Sequence, residues 1–306
     1  MKWKKLGRIW QPEGNFWWNK KYGQLPVPYY LSEENKIRVF FGTACDETFC
    51  RISFIDVDAD DPTRIVYDPA KPVLDIGDPG TFDDSGVVPS SVINIDGRLL
   101  LYTVGYQRCG RVPYMLYAGL AESSDGGISL SRVSKAPILP RKDFRPTGQG
   151  APSVLFHDGI YKMWHWFSTR WITVEGKLFL DYKIGYAESS DGISWDMKDI
   201  TCLAPDESKG EFAVARPWVI FEDGRFKMWY SIRLVGKMYR IGYAESEDGL
   251  NWTRMDHLAG IDVSEEGWDS EMICYPAVID IKGSRYMFYN GNSNGMTGFG
   301  VAILEK

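Results

Sequence analysis

A proline followed by a short apolar run returns five times along the chain at nearly constant spacing. The five prolines are Pro28, Pro89, Pro152, Pro217 and Pro276, and the intervals are 61, 63, 65 and 59 residues. A period of several tens of residues indicates one supersecondary unit repeated in space, because such a unit buries its apolar face only against its neighbours. This repeat constrains the fold more than any other feature of the sequence.

Each repeated unit has the pattern of four short strands. The first strand begins at the proline and ends at an Asp-Gly or Lys-Gly pair such as Asp158-Gly159, which is a strong hairpin signal. An aromatic second strand follows, then a third that ends in Tyr-Ala-Glu-Ser or a similar run, and then a fourth that Trp195 or Trp252 opens. The sequence therefore predicts an all-β fold, a five-bladed β-propeller with four-stranded blades, as a single domain over residues 1–306.

The two ends of the chain complement each other in this pattern. The last unit stops after its third strand, at residues 298–304, and residues 1–9 contain Trp3 followed by a segment similar to those after Trp195 and Trp252. We predict that residues 1–9 supply the missing outer strand of the last blade and close the ring, which removes an exposed sheet edge. The alternative is a frayed N-terminal tail.

Composition excludes several classes of function. The formal net charge of -6 argues against a surface for nucleic acid or anionic membranes. We expect no membrane insertion and no signal peptide, because no apolar run is long enough. Five scattered cysteines favour free thiols and a cytoplasmic location, with a Cys45–Cys50 pair as the alternative. With no zinc-spaced cluster and no phosphate-binding loop, we expect neither a metal nor a cofactor.

The loops indicate which face of the propeller carries the function. Connections from first to second and from third to fourth strands are short and uniform. Connections into the first strands, and from second to third strands, are long, dissimilar and rich in polar side chains. Binding and catalytic groups concentrate on variable loops that a regular scaffold positions. We therefore predict that the functional face is the one where the first strands begin.

Carboxylates precede several first strands on that face. Asp84, Glu211 and Glu271 lie five or six residues before a repeat proline, and Asp83 is adjacent to the first of them. Cleavage of a glycosidic bond needs one protonated and one ionised carboxyl group around the same bond. We predict Asp84, Glu211 and Glu271 as catalytic residues that converge on a central funnel. The alternative is that they cap backbone amides or face solvent.

Other polar and aromatic residues at the same ends of the strands suit a ring with many hydroxyl groups. The predicted substrate-binding residues are Asp83, Gln149, His165, Trp166, Arg170, Arg216, Tyr275, Asn290 and Asn292. For His165 a buried, hydrogen-bonded histidine is the alternative. Trp164 and Trp229 are expected to pack between blades instead.

The third and fourth strands carry a family resemblance. Tyr-Ala-Glu-Ser-Ser-Asp-Gly-Ile-Ser-Trp at residues 186–195 and Tyr-Ala-Glu-Ser-Glu-Asp-Gly-Leu-Asn-Trp at residues 243–252 resemble the five-bladed glycoside hydrolase superfamily. That superfamily includes arabinanases, β-xylosidases, invertases and mannoside phosphorylases. The segments at residues 84–90, 215–217 and 268–276 are most similar to members found beside bacterial surface-polysaccharide genes. The resemblance implies a propeller that acts on or binds a sugar or oligosaccharide.

The chain departs from the superfamily at the positions that carry its chemistry. In relatives an Asp directly precedes the proline of an early inner strand, whereas this chain has Val27, Val88 and Ala151 there. The first hypothesis is therefore a glycoside hydrolase or glycosyl-transferring enzyme that uses relocated carboxylates, with Glu271 and Asp84 as the acid/base pair. The alternatives are a non-catalytic sugar-binding propeller in a polysaccharide pathway and a glycoside phosphorylase, the last only if Arg170, Arg216 and another cation surround a phosphate. The oligomeric state stays open.

Overall fold

The strand order follows the sequence repeat. The computed structural model describes residues 1–305, and it begins with strand β1 (Trp3–Trp10). The strands that follow pair antiparallel in groups of four, and one parallel bridge between neighbouring groups joins the first three groups into a single twelve-stranded sheet. Group one contains β2 (Lys21–Leu31), β3 (Lys36–Ala44), β4 (Cys50–Asp58) and β5 (Ile65–Tyr67), and group two contains β6 (Gly86–Ile95), β7 (Arg98–Arg108), β8 (Tyr114–Ser123) and β9 (Ser131–Arg132).

The remaining three groups repeat this arrangement. Group three contains β10 (Gly148–His157), β11 (Ile160–Ser168), β14 (Lys183–Ser189) and β15 (Asp196–Leu203), with a separate hairpin of β12 (Trp171–Val174) and β13 (Lys177–Leu180). Group four contains β16 (Glu211–Glu222), β17 (Arg225–Leu234), β18 (Met238–Ser246) and β19 (Thr253–Arg254). Group five contains β20 (Cys274–Ile281), β21 (Ser284–Asn290), β22 (Phe299–Leu304) and β1.

Helical structure is confined to single turns in the connections. Three 3₁₀ turns span Ser32–Glu34, Glu207–Lys209 and Asp256–Leu258. One short turn of α-helix, α1 (Asn292–Gly295), lies in the β21–β22 connection and has two residues in left-handed conformation. No helix among residues 1–305 is long and apolar enough to cross a membrane.

The N-terminal strand completes group five, as the sequence predicts. Strand β1 pairs antiparallel with β22, from Trp3 opposite Leu304 to Trp10 opposite Phe299. Trp3, Ile9 and Trp10 are buried by this pairing. The alternative of a frayed tail is wrong, because the backbone of β1 satisfies the open edge of β22.

The core lies between the groups rather than inside one of them. Four apolar clusters each join two groups that follow one another along the chain. A fifth cluster joins group five to group one. Phe41 and Ile55 of group one pack there with Phe288 and Val301 of group five. Trp164 and Trp229 are both fully buried in such clusters, as predicted. Each group is therefore stabilised by its neighbours on both sides.

The repeated turn residues have the conformations that their chemistry demands. In the hairpins between first and second strands, Asp96, Asp158, Asp223 and Lys282 and the glycines after them all have positive φ. Two consecutive residues with positive φ define the turn type that matches the twist of a two-residue hairpin. The Asp-Gly signal in the sequence therefore reports this geometry directly.

The Tyr-Ala-Glu-Ser motif ties the third strand to the turn after it. Tyr243 donates to Glu245 on the same strand face at 2.6 Å, and Ser246 accepts from the backbone N–H of Gly249 at 2.9 Å. Asp248 accepts from the N–H groups of Leu250 and Asn251, and these bonds, above all that to Asn251, lower the pKa of its carboxyl group. The motif is thus a structural device of the repeat.

All five cysteines are free thiols, as expected.

Candidate functional site

A cavity of about 370 Å³ opens where the first strands begin. All five groups contribute to it, through the starts of first strands, the ends of second strands and the starts of third strands. The lining residues are Tyr22, Gln24, Leu25, Thr48, Cys50, Gly86, Val88, Val104, Tyr106, Tyr114, Leu116, Ala151, Trp166, Tyr182, Ala215, Arg216, Arg233, Tyr239, Tyr275 and Asn294. The cavity therefore lies on the predicted face.

A β-bulge in three of the first strands, β10, β16 and β20, lies at the edge of this cavity. Ala151, Arg216 and Tyr275 each directly precede a repeat proline and have φ of 47°, 52° and 56°. The pairing register of β10, β16 and β20 shifts at the same point. A bulge bends a strand and re-aims the side chain it carries. A positive φ at a residue other than glycine costs on the order of 1–3 kcal/mol, and such strain clusters at functional sites.

Seven aromatic side chains, six tyrosines and Trp166, line the wall. The ring centroids of Trp166 and Tyr182 are 4.3 Å apart, and those of Tyr239 and Tyr275 are 5.5 Å apart. Burial raises the pKa of the Tyr182 and Tyr275 phenols well above the ordinary value. These phenols therefore stay protonated and can donate hydrogen bonds to a ligand.

Two arginines supply the charge of the cavity. Arg216 is 1% exposed, and one of its nitrogens, Nη2, is 3.4 Å from the carbonyl oxygen of Pro26. Its Nε and Nη1 atoms are buried without any partner among residues 1–305. Burial lowers the pKa of Arg216 to about 9, so the guanidinium is still charged at neutral pH. Arg233, from the end of β17, lies beside the ring of Tyr239 at 5.0 Å.

The three predicted catalytic carboxylates do not converge on the cavity. Glu211 is buried on β16, but Arg254 holds both of its oxygens, at 2.7 and 2.8 Å. Asp84 is half-buried in its loop and accepts from Gly80 N–H and the Ser85 hydroxyl, at 2.9 and 2.8 Å. Neither lines the cavity. Asp84 caps a backbone amide, which the sequence left as the alternative, whereas the ion pair of Glu211 with Arg254 was not among the alternatives.

Glu271 is also outside the cavity, and the reason is local. The regular strand β20 begins only at Cys274, so the alternation of side chains that would place Glu271 beside Tyr275 does not extend that far. The Glu271 side chain is exposed, while its N–H donates to Asn292 and its carbonyl oxygen accepts from Arg240. Its backbone is held, and its carboxylate faces solvent.

Several predicted substrate-binding residues stabilise the scaffold instead. Asp83 forms a 2.7 Å ion pair with Arg132, and Gln149 is fully buried and donates to the Pro140 carbonyl oxygen at 2.6 Å. Arg170 is mostly exposed and lies 3.6 Å from Asp181. None of the three lines the cavity, because each side chain is satisfied elsewhere.

His165 has the buried structural position that was its alternative. It is fully buried, with Nε2 3.0 Å from Arg145 Nη1 and Nδ1 3.1 Å from the Trp166 carbonyl oxygen. Burial, and then the nearby charge of Arg145, lower its pKa to about 3. It lies behind the wall that Trp166 forms.

The two predicted asparagines also bind protein backbone. Asn290 is fully buried; its Oδ1 accepts from Leu25 N–H at 2.8 Å, and its Nδ2 donates to the carbonyl oxygens of Gly23 and Gly298. Asn292 accepts from Glu271 N–H at 2.8 Å and holds the loop before β20. Both side chains therefore bond backbone groups, and neither lines the cavity.

Of the predicted residues, the structure brings Trp166, Arg216 and Tyr275 together in the cavity wall. The sequence reasoning missed Arg233, Asn294 and most of the tyrosines. A signal was present: Leu116, Tyr182 and Tyr239 each lie four residues before the Leu- or Tyr-Ala-Glu-Ser motif, and all three line the cavity. Alignment of the third strands on that motif would have identified this position as one that lines the cavity.

Acidic groups are missing from the wall, and metal-binding groups are not clustered in the described chain. The lining contains no Asp or Glu side chain. Within residues 1–305 no set of three or more His, Cys, Asp and Glu side chains is placed to hold a metal ion. The cavity is therefore aromatic, phenolic and positively charged.

Comparison with known proteins places the chain in a family. It is 36% identical to "Uncharacterized protein Rv1502" of Mycobacterium tuberculosis strain H37Rv, and 36% identical to "Uncharacterized protein MT1551" of strain CDC 1551. Both matches cover 306 residues and 100% of each chain. No protein-family profile matches the chain.

Solved structures show the same fold at low sequence identity. A "Glycoside hydrolase" has a TM-score of 0.74 at 17% identity, covering 98% of this chain and 90% of the other. The endo-arabinase of Bacteroides thetaiotaomicron has a TM-score of 0.67 at 13% identity, covering 98% of each chain. A structure reported for "The GH130 family of mannoside phosphorylases" has a TM-score of 0.74 at 14% identity, covering 99% and 93%. The chain belongs to the family of the mycobacterial protein Rv1502, and it shares the fold of these solved structures.

Proposed function

We propose that the chain is a closed five-bladed propeller whose central cavity binds a carbohydrate. The five groups of strands would be the five blades, and the cluster between groups five and one supports a closed ring. The single observation that carries the proposal is a cavity to which all five groups contribute, walled by six tyrosines and Trp166. Aromatic faces pack against sugar rings, and phenol and amide groups bond their hydroxyl groups.

Sugar binding without cleavage explains the residues that line the cavity better than hydrolysis by a carboxylate pair does. Such hydrolysis needs two carboxyl groups roughly 5–9.5 Å apart that flank the scissile bond. The wall holds none, Glu211 is occupied by Arg254, and Asp84 caps its own loop. The fold likeness to glycoside hydrolases is the one observation that favours the hydrolase alternative, in which Glu271 and Asp84 would move inward with a substrate.

The test measures binding and cleavage on the same proteins. Calorimetry over a glycan panel should find a binder, while a reducing-sugar assay finds no release. Tyr275→Phe removes one cavity hydroxyl and should weaken binding by roughly two- to tenfold, the value of one hydrogen bond. Tyr67→Phe is the matched control, because Tyr67 is exposed on β5 outside the cavity.

Two carboxylate variants separate the alternatives. Glu271→Gln and Asp84→Asn should leave glycan affinity unchanged. Release of reducing sugar that either variant abolishes would overturn the proposal in favour of a hydrolase. The absence of binding across neutral and acidic glycans would overturn it as well.

A further inference from the structure

Arg216 is a buried cation without a counterion. Its guanidinium has five N–H donors, yet its one hydrogen bond within residues 1–305 is the long one to Pro26, and Nε and Nη1 have no partner there. The ring of Trp218 lies 5.1 Å from the guanidinium carbon but carries no negative charge. Burying a charge is costly unless the charge is paired and hydrogen-bonded. The unpaired atoms belong to a side chain that is 1% exposed and lines the cavity. An anionic group that enters the cavity would therefore lie beside this guanidinium.

Other buried or half-buried arginines of the same protein have the partners that Arg216 lacks. Arg38 forms two 2.8 Å bonds to Asp56, and Arg254 forms its pair with Glu211. Arg145 donates to the carbonyl oxygens of Lys198 and Ile200 at 2.7 and 3.0 Å. The fold supplies a carboxylate or several carbonyl groups to each of these side chains. It supplies neither to Arg216.

Arg233 adds a second cation to the same wall. Aromatic rings surround it, with its guanidinium carbon 4.5 Å from the Phe179 ring and 5.0 Å from the Tyr239 ring, and no ion pair reaches it within residues 1–305. Burial opposes its charge, whereas the phenols of Tyr239 and Tyr182 raise its pKa, and the net direction is upward. Both arginines line the same cavity as Tyr275. Two positive charges thus face a cavity without an acidic residue.

We propose that the cavity takes an acidic sugar, and that Arg216 and Arg233 bind its anionic group. A planar guanidinium offers parallel N–H donors that match a carboxylate or a phosphate. The aromatic wall then holds the sugar ring and the phenols hold its hydroxyl groups. This inference rests on the proposed sugar-binding function and narrows it to sugars that carry a carboxylate or a phosphate.

The experiment compares acidic sugars with their neutral parents. The probes are glucuronate, galacturonate, glucose 6-phosphate, glucose, galactose and inorganic phosphate, each measured by calorimetry and by thermal shift. We expect at least one acidic sugar to bind tenfold or more tightly than its neutral parent. Stronger binding of the uronates identifies a carboxylate site, and stronger binding of the sugar phosphate identifies a phosphate site.

Arg216→Met tests the assigned residue. We expect at least a tenfold loss of affinity for the acidic sugar and little change for its neutral parent. The melting temperature of the free variant should equal or exceed that of the parent, because an unpaired buried charge is removed and a similar volume is kept. Arg225→Met is the control, because Arg225 is exposed at a hairpin outside the cavity and should leave affinity unchanged.

The possible failures are distinguishable. If neutral sugars bind as tightly as acidic ones and Arg216→Met changes neither, the anion site is wrong and the sugar-binding function stands. If inorganic phosphate binds through Arg216 as tightly as every sugar, the anion site stands and sugar binding is wrong. If none of the probes binds, both are wrong.

Discussion

Single residues in this protein take their roles from partners far away in sequence. Glu211 is held by Arg254, 43 positions later, and Asp83 by Arg132, 49 positions later. Such pairing turns an acidic group that precedes a first strand into a structural group. His165 is a similar case, because burial and then the charge of Arg145 lower the pKa of its ring.

Burial of His165 predicts a specific pH dependence of stability. Its pKa is about 3 in the fold, against about 6.5 for an unperturbed histidine. Between these values the unfolded chain binds a proton that the folded chain does not, so stability falls as pH decreases from about 6.5 towards 3. His165→Gln keeps an acceptor for Arg145 and removes this proton. Its melting temperature should therefore decrease less than that of the parent between pH 7 and pH 5.

A matched histidine provides the control for this experiment. His257 is exposed in the 3₁₀ turn at Asp256–Leu258. His257→Gln should follow the parent curve throughout. A His165→Gln curve that runs parallel to the parent would show that other groups cause the acid sensitivity.

At the scale of elements, the strands serve two separate purposes. The bulges of β10, β16 and β20 lie at the edge of the cavity, and the pairing of the outer strands closes the sheets. Strand β1 belongs to the second kind. It covers β22 and adds three buried side chains, Trp3, Ile9 and Trp10, to the clusters on either side of group five.

Deletion of residues 1–10 should therefore destabilise the whole protein. Each of the three buried side chains contributes roughly 1.5–3 kcal/mol of burial, and the total stability of a domain is only about 5–15 kcal/mol. The exposed edge of β22 should also promote aggregation. Thermal melting and light scattering test this expectation. A truncated protein that melts within one degree of the parent and stays monodisperse would contradict it.

At the scale of the whole molecule, the contact between group five and group one, called here the joint, connects the two ends of the repeat. Sequence neighbours are covalently linked, but these two groups lie at opposite ends of the repeat. Asn290 spans the joint, because one side chain bonds Gly23 and Leu25 of group one and Gly298 beside β22. The apolar cluster of Phe41 and Phe288 lies at the same joint.

Asn290→Ala should lower the stability of the whole protein. It leaves the buried Leu25 N–H and the Gly23 and Gly298 carbonyl oxygens without this partner, and each buried unsatisfied group costs about 1–3 kcal/mol. Hydrogen exchange should show loss of protection in both β2 and β20–β22. Asn292→Ala is the control, because Asn292 holds only loops of group five and should affect that group alone. Equal and purely local effects of the two variants would rule out a joint that closes the ring.

The sequence alone determined the repeat, the turns and the N-terminal strand. These features depend on short-range chemistry: paired positive φ at Asp-Gly turns, strand alternation, and the likeness of the Trp3 segment to those after Trp195 and Trp252. The same local rules indicated the functional face. They also suggested Arg216, Tyr275 and Trp166, because these residues lie beside a repeat proline or at the end of a second strand.

Only the tertiary structure decided which polar groups remain available in the cavity. Asp84, Glu211 and Arg216 all precede a repeat proline and look equally suited to a site in the sequence. In the fold, Glu211 meets Arg254 and Asp84 caps its own loop, while Arg216 meets nothing that neutralises it. The difference arises because a charge is satisfied by whatever the folded chain brings within about 3 Å, and that neighbour is set by packing rather than by spacing along the chain.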